Sequence, residues 1–306
     1  MAIRAAAPLR LGLPQGVGTI IATVFAMALT DAIIKLSSSG MTLWQIWVLR
    51  SVIVVPILLV ATRGRVFPPG VPWVIARSAA LVVQYLCLYA VLPLIDMALA
   101  GAAFYTAPFF IVGLSALVLG KRITPTHWLA TAIGFAGLLA IVRPFAAGFT
   151  PLILMPIAAA LFYAIAAVMT RAKCADTPAL ILALWLNILC LIFGLAIGAV
   201  RGVIAAPDWA GFIFGPWHSM AGSDWALIGA LCVLIIGIAI GLARAYQSPR
   251  PEVIATFDYC YMIFVVFWGY VFFGEVPDLW TWAGMALIAT GGLLVLMIRK
   301  DGARAP

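Results

Sequence analysis

GKRITPTHWLATAIGFAGLL at 120–139 and GEVPDLWTWAGMALIATGGL at 274–293 are the two stretches of this 306-residue chain that decide its fold. A glycine, a tryptophan, a late glycine and a leucine recur 154 residues apart, at positions 120 and 274, 128 and 282, 137 and 291, and 139 and 293. Upstream, the same offset pairs Tyr105 with Tyr259 and Phe110 with Phe264. Because the offset is constant without a gap, we interpret the stretches as the ends of two copies of one repeat.

The composition of the whole chain is that of a protein embedded in a membrane. Apolar residues make up 66% of the sequence and charged residues 9%, and the mean hydropathy is +1.18. A soluble domain carries about 25% charged residues, so we exclude a soluble globular protein, a disordered chain and a coiled coil. The sequence has no alternating strand pattern, and a backbone in lipid must satisfy its own hydrogen bonds, which leaves a helical bundle.

Apolar runs long enough to cross the membrane can be counted directly, since a spanning helix needs about 20 residues. The first run lacks a small-residue cleavage site, so we expect a retained helix and not a signal peptide. We predict an all-α polytopic membrane protein with ten transmembrane helices. They lie near 17–37, 43–62, 72–92, 97–119, 126–143, 151–171, 178–199, 224–246, 252–273 and 278–298.

The basic residues support the count of ten. If the N-terminus lies in the cytoplasm, all 18 lysines and arginines fall on the cytoplasmic side except Arg143 and Arg201, which fall outside, and Lys35 and Arg50, which fall within spans. This bias is the positive-inside rule, and it predicts that both termini are cytoplasmic. The net charge of +8 therefore indicates topology and contact with anionic lipid, and we predict no nucleic-acid partner.

Each copy of the repeat contains five spans, an odd number, so the two copies enter the membrane in opposite senses. Inverted repeats are typical of secondary transporters that alternate access to a midplane site. The alternative is a gene duplication in a membrane protein that does not transport. We predict a cytoplasmic segment at 1–16, a first five-helix repeat at 17–143, a linker at 144–150, a second five-helix repeat at 151–298 and a cytoplasmic tail at 299–306.

This organisation resembles the ten-helix EamA-repeat branch of the drug/metabolite transporter superfamily over nearly the whole chain. The run YTAP at 105–108 resembles the proline-containing fourth helix of that family, and Arg50 resembles an arginine that the family often places in its second helix. Two positions depart from the pattern: Lys121 stands where many members have the glutamate that Glu275 keeps, and Met262 stands where the second half often has proline. The resemblance implies a cavity lined largely by spans 1, 3, 4, 6, 8 and 9, as in bacterial inner-membrane exporters of amino acids, aromatic ones included.

Four ionisable residues lie within the spans, where each costs roughly 2.5–3.5 kcal/mol at a helix centre and therefore needs a partner or a function. Asp31 and Lys35 share one face of the first span; they either neutralise each other, with Lys35 extending to the membrane surface, or bind a zwitterion. Arg50 pairs either with Asp31 or a backbone carbonyl, or with a carboxylate of the solute. Asp258 either attracts an ammonium group or a proton, or makes a structural hydrogen bond.

Polar and aromatic side chains deep in the spans indicate a wet cavity that holds a partly apolar solute through ring contacts and hydroxyl groups. Packing is the alternative for each of them taken singly. The predicted cavity residues are Gln84, Tyr85, Tyr89, Phe104, Tyr105, Tyr163, Asp258 and Tyr259, and the charged orienting or coupling candidates are Asp31, Lys35, Arg50 and Asp258. Pairs of glycines, Gly194 with Gly198, Gly237 with Gly241 and Gly134 with Gly137, are assigned to close helix packing.

Signals of an enzyme are missing from the sequence. Its two histidines, His127 and His218, lie far apart, its five cysteines have no metal-site spacing, and neither a nucleophile elbow nor a phosphate-binding loop is present. We therefore predict no enzyme activity, no cofactor and no metal site.

The function predicted from the sequence is export of small metabolites by a secondary transporter of the bacterial inner membrane. The expected solutes are amino acids, including aromatic and neutral ones, moved by alternating access around an aromatic-lined cavity. A sugar-phosphate or other organic-anion exchanger is the alternative within the superfamily, and a membrane-embedded enzyme or a channel is the alternative from another class. The expected partners are the solute and membrane lipid. The sequence does not decide between a monomer and a homodimer.

Overall fold

A computed structural model describes residues 16–119, 125–143, 150–203, 211–246, 257 and 259–302. These residues form helices joined by short turns and contain no strand. The helices are α1 Val17–Ser37, α2 Leu43–Ala61, α3 Val71–Val91, α4 Met97–Phe104, α5 Ala107–Leu119, α6 Pro125–Val142, a 3-10 turn at Pro151–Ile153, α7 Leu154–Lys173, α8 Ala179–Val203, α9 Gly211–Phe214, α10 Gly222–Tyr246, α11 Cys260–Phe273 and α12 Leu279–Gly302.

Within the described residues, seven segments are long and apolar enough to cross a membrane, so the chain is an integral membrane protein. Three further predicted spans coincide with apolar helices that are shorter in the described part of the chain. The prediction of an all-helical membrane fold is confirmed, whereas the count of ten and the cytoplasmic termini stay predictions. The seven segments are Val17–Ser37, Leu43–Ala61, Val71–Val91, Met97–Val118, Pro151–Lys173, Ala179–Val203 and Gly222–Leu242, and the three shorter helices are Ala132–Val142, Cys260–Phe273 and Leu279–Leu294.

The fourth predicted span, 97–119, is not one continuous helix. It is divided into α4 and α5 at Tyr105 and Thr106, two residues before Pro108. Proline has no backbone N–H, and its ring displaces the carbonyl one turn earlier in the chain. The Thr106 hydroxyl donates instead to the carbonyl oxygen of Ala103 at 2.7 Å, which satisfies part of the interrupted backbone. The break places Tyr105 at the C-terminus of α4, inside the bundle.

The helices of the two halves pack on each other reciprocally. Helix α3 packs on α7 as α1 packs on α10, and α5 packs on α7 as α1 packs on α11. Two further seams, α2 with α8 and α6 with α12, join helices that hold equivalent places in the two halves. Each of these contacts keeps a counterpart when the halves are exchanged, as expected of two copies of one five-helix unit.

Glycines allow close approach at both of the seams between equivalent helices. In the α2–α8 seam, a Cβ atom at Gly198 would lie 2.7 Å from the ring of Trp44, and one at Gly194 would lie 2.9 Å from a methyl group of Val48. In the α6–α12 seam, a Cβ atom at Gly137 would lie 2.7 Å from the carbonyl oxygen of Gly284. The packing role predicted for Gly194, Gly198 and Gly137 therefore agrees with the structure.

The segment after α9 is fastened to the first turn of α2. The indole N–H of Trp44 donates to the carbonyl oxygen of Gly215 at 3.1 Å. The Gln45 amide donates to the carbonyl oxygen of His218 at 2.9 Å and accepts from the backbone N–H of the same residue at 3.2 Å. The side chains of Trp44 and Gln45 therefore both have partners.

Candidate functional site

Asp31 lies at the centre of the predicted site and is 8% exposed. The Tyr89 hydroxyl of α3 donates to Oδ1 of Asp31 at 3.1 Å, and the Tyr261 hydroxyl of α11 donates to Oδ2. Both tyrosines are buried as well. Because α3 belongs to the first half and α11 to the second, one buried carboxylate links the two halves through two hydroxyl groups.

Each of the two tyrosines on Asp31 is stacked on a second tyrosine. Tyr85 and Tyr89 lie one turn apart on α3, and their ring centroids are 5.4 Å apart at an interplanar angle of 16°. Tyr105, at the break after α4, stacks on Tyr261 with a centroid distance of 5.2 Å and an angle of 17°. Three helices therefore direct their rings towards the carboxylate on α1.

The aromatic contacts continue from Tyr105 in two directions. Tyr259 meets the Tyr105 ring edge to face at 5.5 Å, and Phe104 meets the ring of Tyr163 on α7 at 5.5 Å. Tyr163 is 38% exposed, so this end of the aromatic contacts reaches the surface of the described bundle. The name tyrosine cluster is used below for Asp31, Tyr85, Tyr89, Tyr105, Tyr259 and Tyr261.

Arg50 lies beside the tyrosine cluster and is 3% exposed. It is close enough to Tyr85 and Tyr89 to act on both electrostatically, as Asp31 also does. Among the described residues, Arg50 forms no ion pair, and its Nε has no hydrogen-bond partner. The pairing of Arg50 with Asp31 that the sequence allowed is therefore absent, and the oxygens of Asp31 accept from tyrosine hydroxyls.

Mutual neutralisation of Asp31 and Lys35, one of the two alternatives left open by the sequence, is not seen, because Lys35 pairs with another residue. The Lys35 ammonium lies 2.5 Å from Oε1 of Glu275, in the turn after α11, and donates to the carbonyl oxygen of Ile95 at 2.7 Å. Its side chain is 10% exposed, so the ammonium group is held inside the bundle. Although residues four apart share a helix face, Lys35 lies one turn nearer the end of α1, where the turn after α11 supplies a carboxylate of its own.

The other predicted site residues divide into those the structure places and one it does not describe. Gln84 is buried on α3, next to Tyr85 in sequence. Asp258 lies outside the described residues. Two contributors were not among the predicted site residues: Tyr261, whose signal was a hydroxyl deep in an apolar span, and Glu275, which read as part of a turn.

Comparison with protein families gives two matches to one family model, described as the EamA-like transporter family. The model matches residues 14–143 and again residues 150–297. The two matched segments together cover most of the chain, which establishes membership of this family.

Comparison with individual proteins finds transporters along most of the chain. The chain is 25% identical over 294 residues to the pseudopaline exporter of Pseudomonas aeruginosa, an alignment that covers 94% of this chain and 98% of the exporter. It is 29% identical over 202 residues to the riboflavin transporter of Rhizobium johnstonii, covering 66% of this chain and 62% of that protein. A solved crystal structure with 20% sequence identity superposes with a TM-score of 0.60 and covers 95% of this chain and 98% of its own, which supports the fold.

Proposed function

Because the chain belongs to the EamA-like transporter family, we propose that it is a secondary transporter that exports small zwitterionic metabolites, above all amino acids, across the bacterial inner membrane. A pseudopaline exporter and a riboflavin transporter, which are similar to it, are named for small organic solutes. The proposal adds to this family function the chemical class of the solute and the direction of transport.

The observation that supports a zwitterion is a buried acid and a buried base that do not pair with each other. Asp31 and Arg50 both act on Tyr85 and Tyr89, yet no ion pair joins them. Charged groups in a bundle surrounded by lipid need compensation. An amino acid supplies it to both at once, since its ammonium group donates to Asp31 and its carboxylate accepts from Arg50.

The rings around Asp31 suit the side chain of such a solute. The stacked pairs Tyr85 with Tyr89 and Tyr105 with Tyr261 present flat faces and hydroxyl groups, a combination that binds aromatic and neutral side chains. Phe104 and Tyr163 extend the aromatic lining, and Asp258 is proposed as a second acidic group for the ammonium or for a proton.

The links between the halves support alternating access. Tyr89 and Tyr261 bond opposite oxygens of Asp31 from different halves, so rocking of the halves exchanges or breaks one of these bonds. Inverted five-helix repeats with cytoplasmic termini complete the proposal, because exchange of two similar half-conformations opens a midplane site to either side in turn.

Counterflow in proteoliposomes tests the proposed function. Liposomes that contain the purified protein and unlabelled phenylalanine are expected to take up labelled phenylalanine transiently and saturably. Phenethylamine, which lacks the carboxylate, and phenylpropionate, which lacks the ammonium group, should compete about tenfold more weakly or worse. Arg50→Ala should lose this discrimination, whereas Arg143→Gln, a change at an exposed arginine, should keep it. Absence of saturable uptake for every amino acid tried would overturn the proposal.

A second candidate, an organic-anion exchanger, is favoured by one observation. The Asp31 oxygens are already satisfied by tyrosines, while Arg50 has no acidic partner among the described residues. In that case phenylpropionate would compete as well as phenylalanine, and Asp31→Asn would leave the affinity for it unchanged. A channel would show neither saturation nor counterflow in the same assay.

A further inference from the structure

Helix α2 carries three buried hydrogen-bond donors that have no acceptor among the described residues. They are Nε1 of Trp47, Nε of Arg50 and Oγ of Ser51, on side chains that are 1%, 3% and 0% exposed. Because Arg50 and Ser51 lie three and four positions after Trp47, the three side chains share one face of the helix.

Three comparable donors, on α2 itself and on neighbouring helices, do have partners. One turn earlier, the indole N–H of Trp44 has the carbonyl oxygen of Gly215 as its partner. On α3, the guanidinium of Arg77 donates to the hydroxyl of Thr170 at 3.1 Å and to the carbonyl oxygen of Leu182 at 3.4 Å. Lys35 has Glu275. These three groups have partners, whereas the three donors of α2, like Nε1 of Trp268 and Oγ of Ser78, have none among the described residues. The face of α2 differs in bringing three such donors together.

No neighbour of Arg50 among the described residues forms an ion pair with it. The Cys190 thiol of α8 lies beside its guanidinium, and the Cys232 thiol of α10 donates to its backbone carbonyl at 3.7 Å. From α3, Tyr85 and Tyr89 face it with neutral phenol groups, and the nearby carboxylate of Asp31 accepts from Tyr89 and Tyr261 instead. The guanidinium thus has no acidic group in direct contact among the described residues.

The unmet requirements of these side chains define a ligand. Indole and guanidinium groups only donate, and a serine hydroxyl can donate, so the partner must accept. A neutral acceptor would leave the charge of Arg50 buried and unpaired, whereas an anion satisfies the charge and the donors together. We propose that Trp47, Arg50 and Ser51 form a binding site for a small monovalent anion of the carboxylate or halide type, on the face of α2 that meets α8 and α10.

The anion has two sources. It is either the carboxylate of the transported solute, in which case this assignment rests on the proposed function, or a free anion such as chloride. As an anion site the proposal does not depend on transport, so it is tested on the purified full-length chain by binding alone.

The experiment measures the melting temperature of the full-length protein in detergent while sodium formate or sodium chloride replaces sodium methanesulfonate at constant ionic strength. We expect a saturable rise in Tm. Trp47→Phe and Ser51→Ala should each weaken the apparent affinity about threefold or more, because each removes one donor. Arg50→Lys should weaken it about tenfold. Trp268→Phe is the matched control, since its indole N–H is also buried without a partner among the described residues but lies on α11.

The outcomes separate the two sources and the two proposals. A rise with formate alone assigns the site to a carboxylate, and a rise with chloride assigns it to a free anion; both support an anion site. No saturable rise with either salt, or equal effects of Trp47→Phe and Trp268→Phe, overturns it. Counterflow of phenylalanine could still succeed after that result, so failure of the anion site and failure of the proposed function are distinguishable.

Discussion

The ammonium of Lys35 in α1 lies 2.5 Å from the carboxylate of Glu275 in the turn between α11 and α12, and both side chains are about nine-tenths buried. The second oxygen of Glu275 accepts the backbone N–H of Met97, the first residue of α4, at 2.6 Å. A carboxylate at the start of a helix is favourable because it meets unpaired N–H groups and the positive end of the helix dipole. One acidic side chain of the second half therefore binds two helices of the first.

Glu275→Gln should destabilise the protein, because it leaves the Lys35 charge buried without a counter-charge. Loss of one partner of a buried ion pair typically costs about 3–5 kcal/mol. The melting temperature in detergent measures this loss. Changing both residues, Lys35→Met with Glu275→Met, removes both charges and should cost less than either single change. A double variant as unstable as the two single variants added together would show that the charges do not interact.

Tyr261→Phe should destabilise the protein by about 1–3 kcal/mol, because Asp31 then loses a buried donor. Tyr89→Phe should act in the same direction through the other oxygen. Tyr270→Phe is the control on the same helix, since Tyr270 is 63% exposed. If the effect operates through the carboxylate, adding Tyr261→Phe to Asp31→Asn should change Tm less than adding it to the unmodified protein. Equal changes in the two backgrounds would contradict this.

The convergence of the aromatic residues was accessible from the sequence, whereas the ionic partners were not. Tyr85 and Tyr89 are one turn apart, and a hydroxyl inside an apolar span favours the bundle interior, so their meeting follows from local spacing. Helical spacing also places Asp31 and Lys35 on one face, but it contains no information on distant chain segments. Glu275, 240 residues from Lys35, pairs with it only because α1 packs against α11.

The broken fourth span shows a second limit of the same kind. Apolar composition identified 97–119 as one crossing of the membrane, and as a crossing it agrees with the structure. Composition contains no information on the direction of backbone hydrogen bonds. It therefore predicts one helix where the structure has α4 followed by α5. Pro108 is the signal in the sequence for this break, because proline interrupts the helix that contains it. The resemblance of the run at 105–108 concerns the same proline but does not locate the break.

Gly241→Ala and Gly237→Ala should have different effects on Tm, although the sequence assigns both glycines to close packing. A Cβ atom at Gly241 would overlap the Thr23 hydroxyl of α1, whereas one at Gly237 would meet nothing within 4 Å among the described residues. The close packing predicted for Gly237 is not seen among the described residues.

The two effects have separate physical causes. Overpacking costs about 1–3 kcal/mol, so Gly241→Ala should lower Tm. Alanine is a better helix former than glycine by up to about 1 kcal/mol, so Gly237→Ala should leave Tm unchanged or raise it. If both variants had the same Tm, the close contact between α1 and α10 at Thr23 would not restrict the size of the residue at position 241.

Asp278, in the turn before α12, should make the stability of the protein depend on pH. Its contacts with Thr281 and with Arg143 contribute separately to this dependence. Its Oδ1 accepts from the Thr281 hydroxyl at 2.6 Å and from the Thr281 backbone N–H at 2.8 Å, and its Oδ2 lies 2.5 Å from Nη2 of Arg143. The Thr281 hydroxyl is the main cause that lowers the pKa of Asp278 below its ordinary value of 3.8, and Arg143 adds to it. The carboxylate therefore caps α12 and pairs with the end of α6.

The sign of the pH effect follows from the lowered pKa. A carboxyl group whose pKa is lower in the folded protein adds stability above its unfolded pKa of 3.8 and loses that contribution as the pH falls through the folded value. The Tm difference between the unmodified protein and Asp278→Asn should thus shrink on acidification below about pH 4. Arg143→Gln should keep most of this dependence, because the Thr281 bonds remain, and Thr281→Val should lose most of it. The reverse order would mean that the exposed ion pair, and not the helix cap, sets the pKa of Asp278.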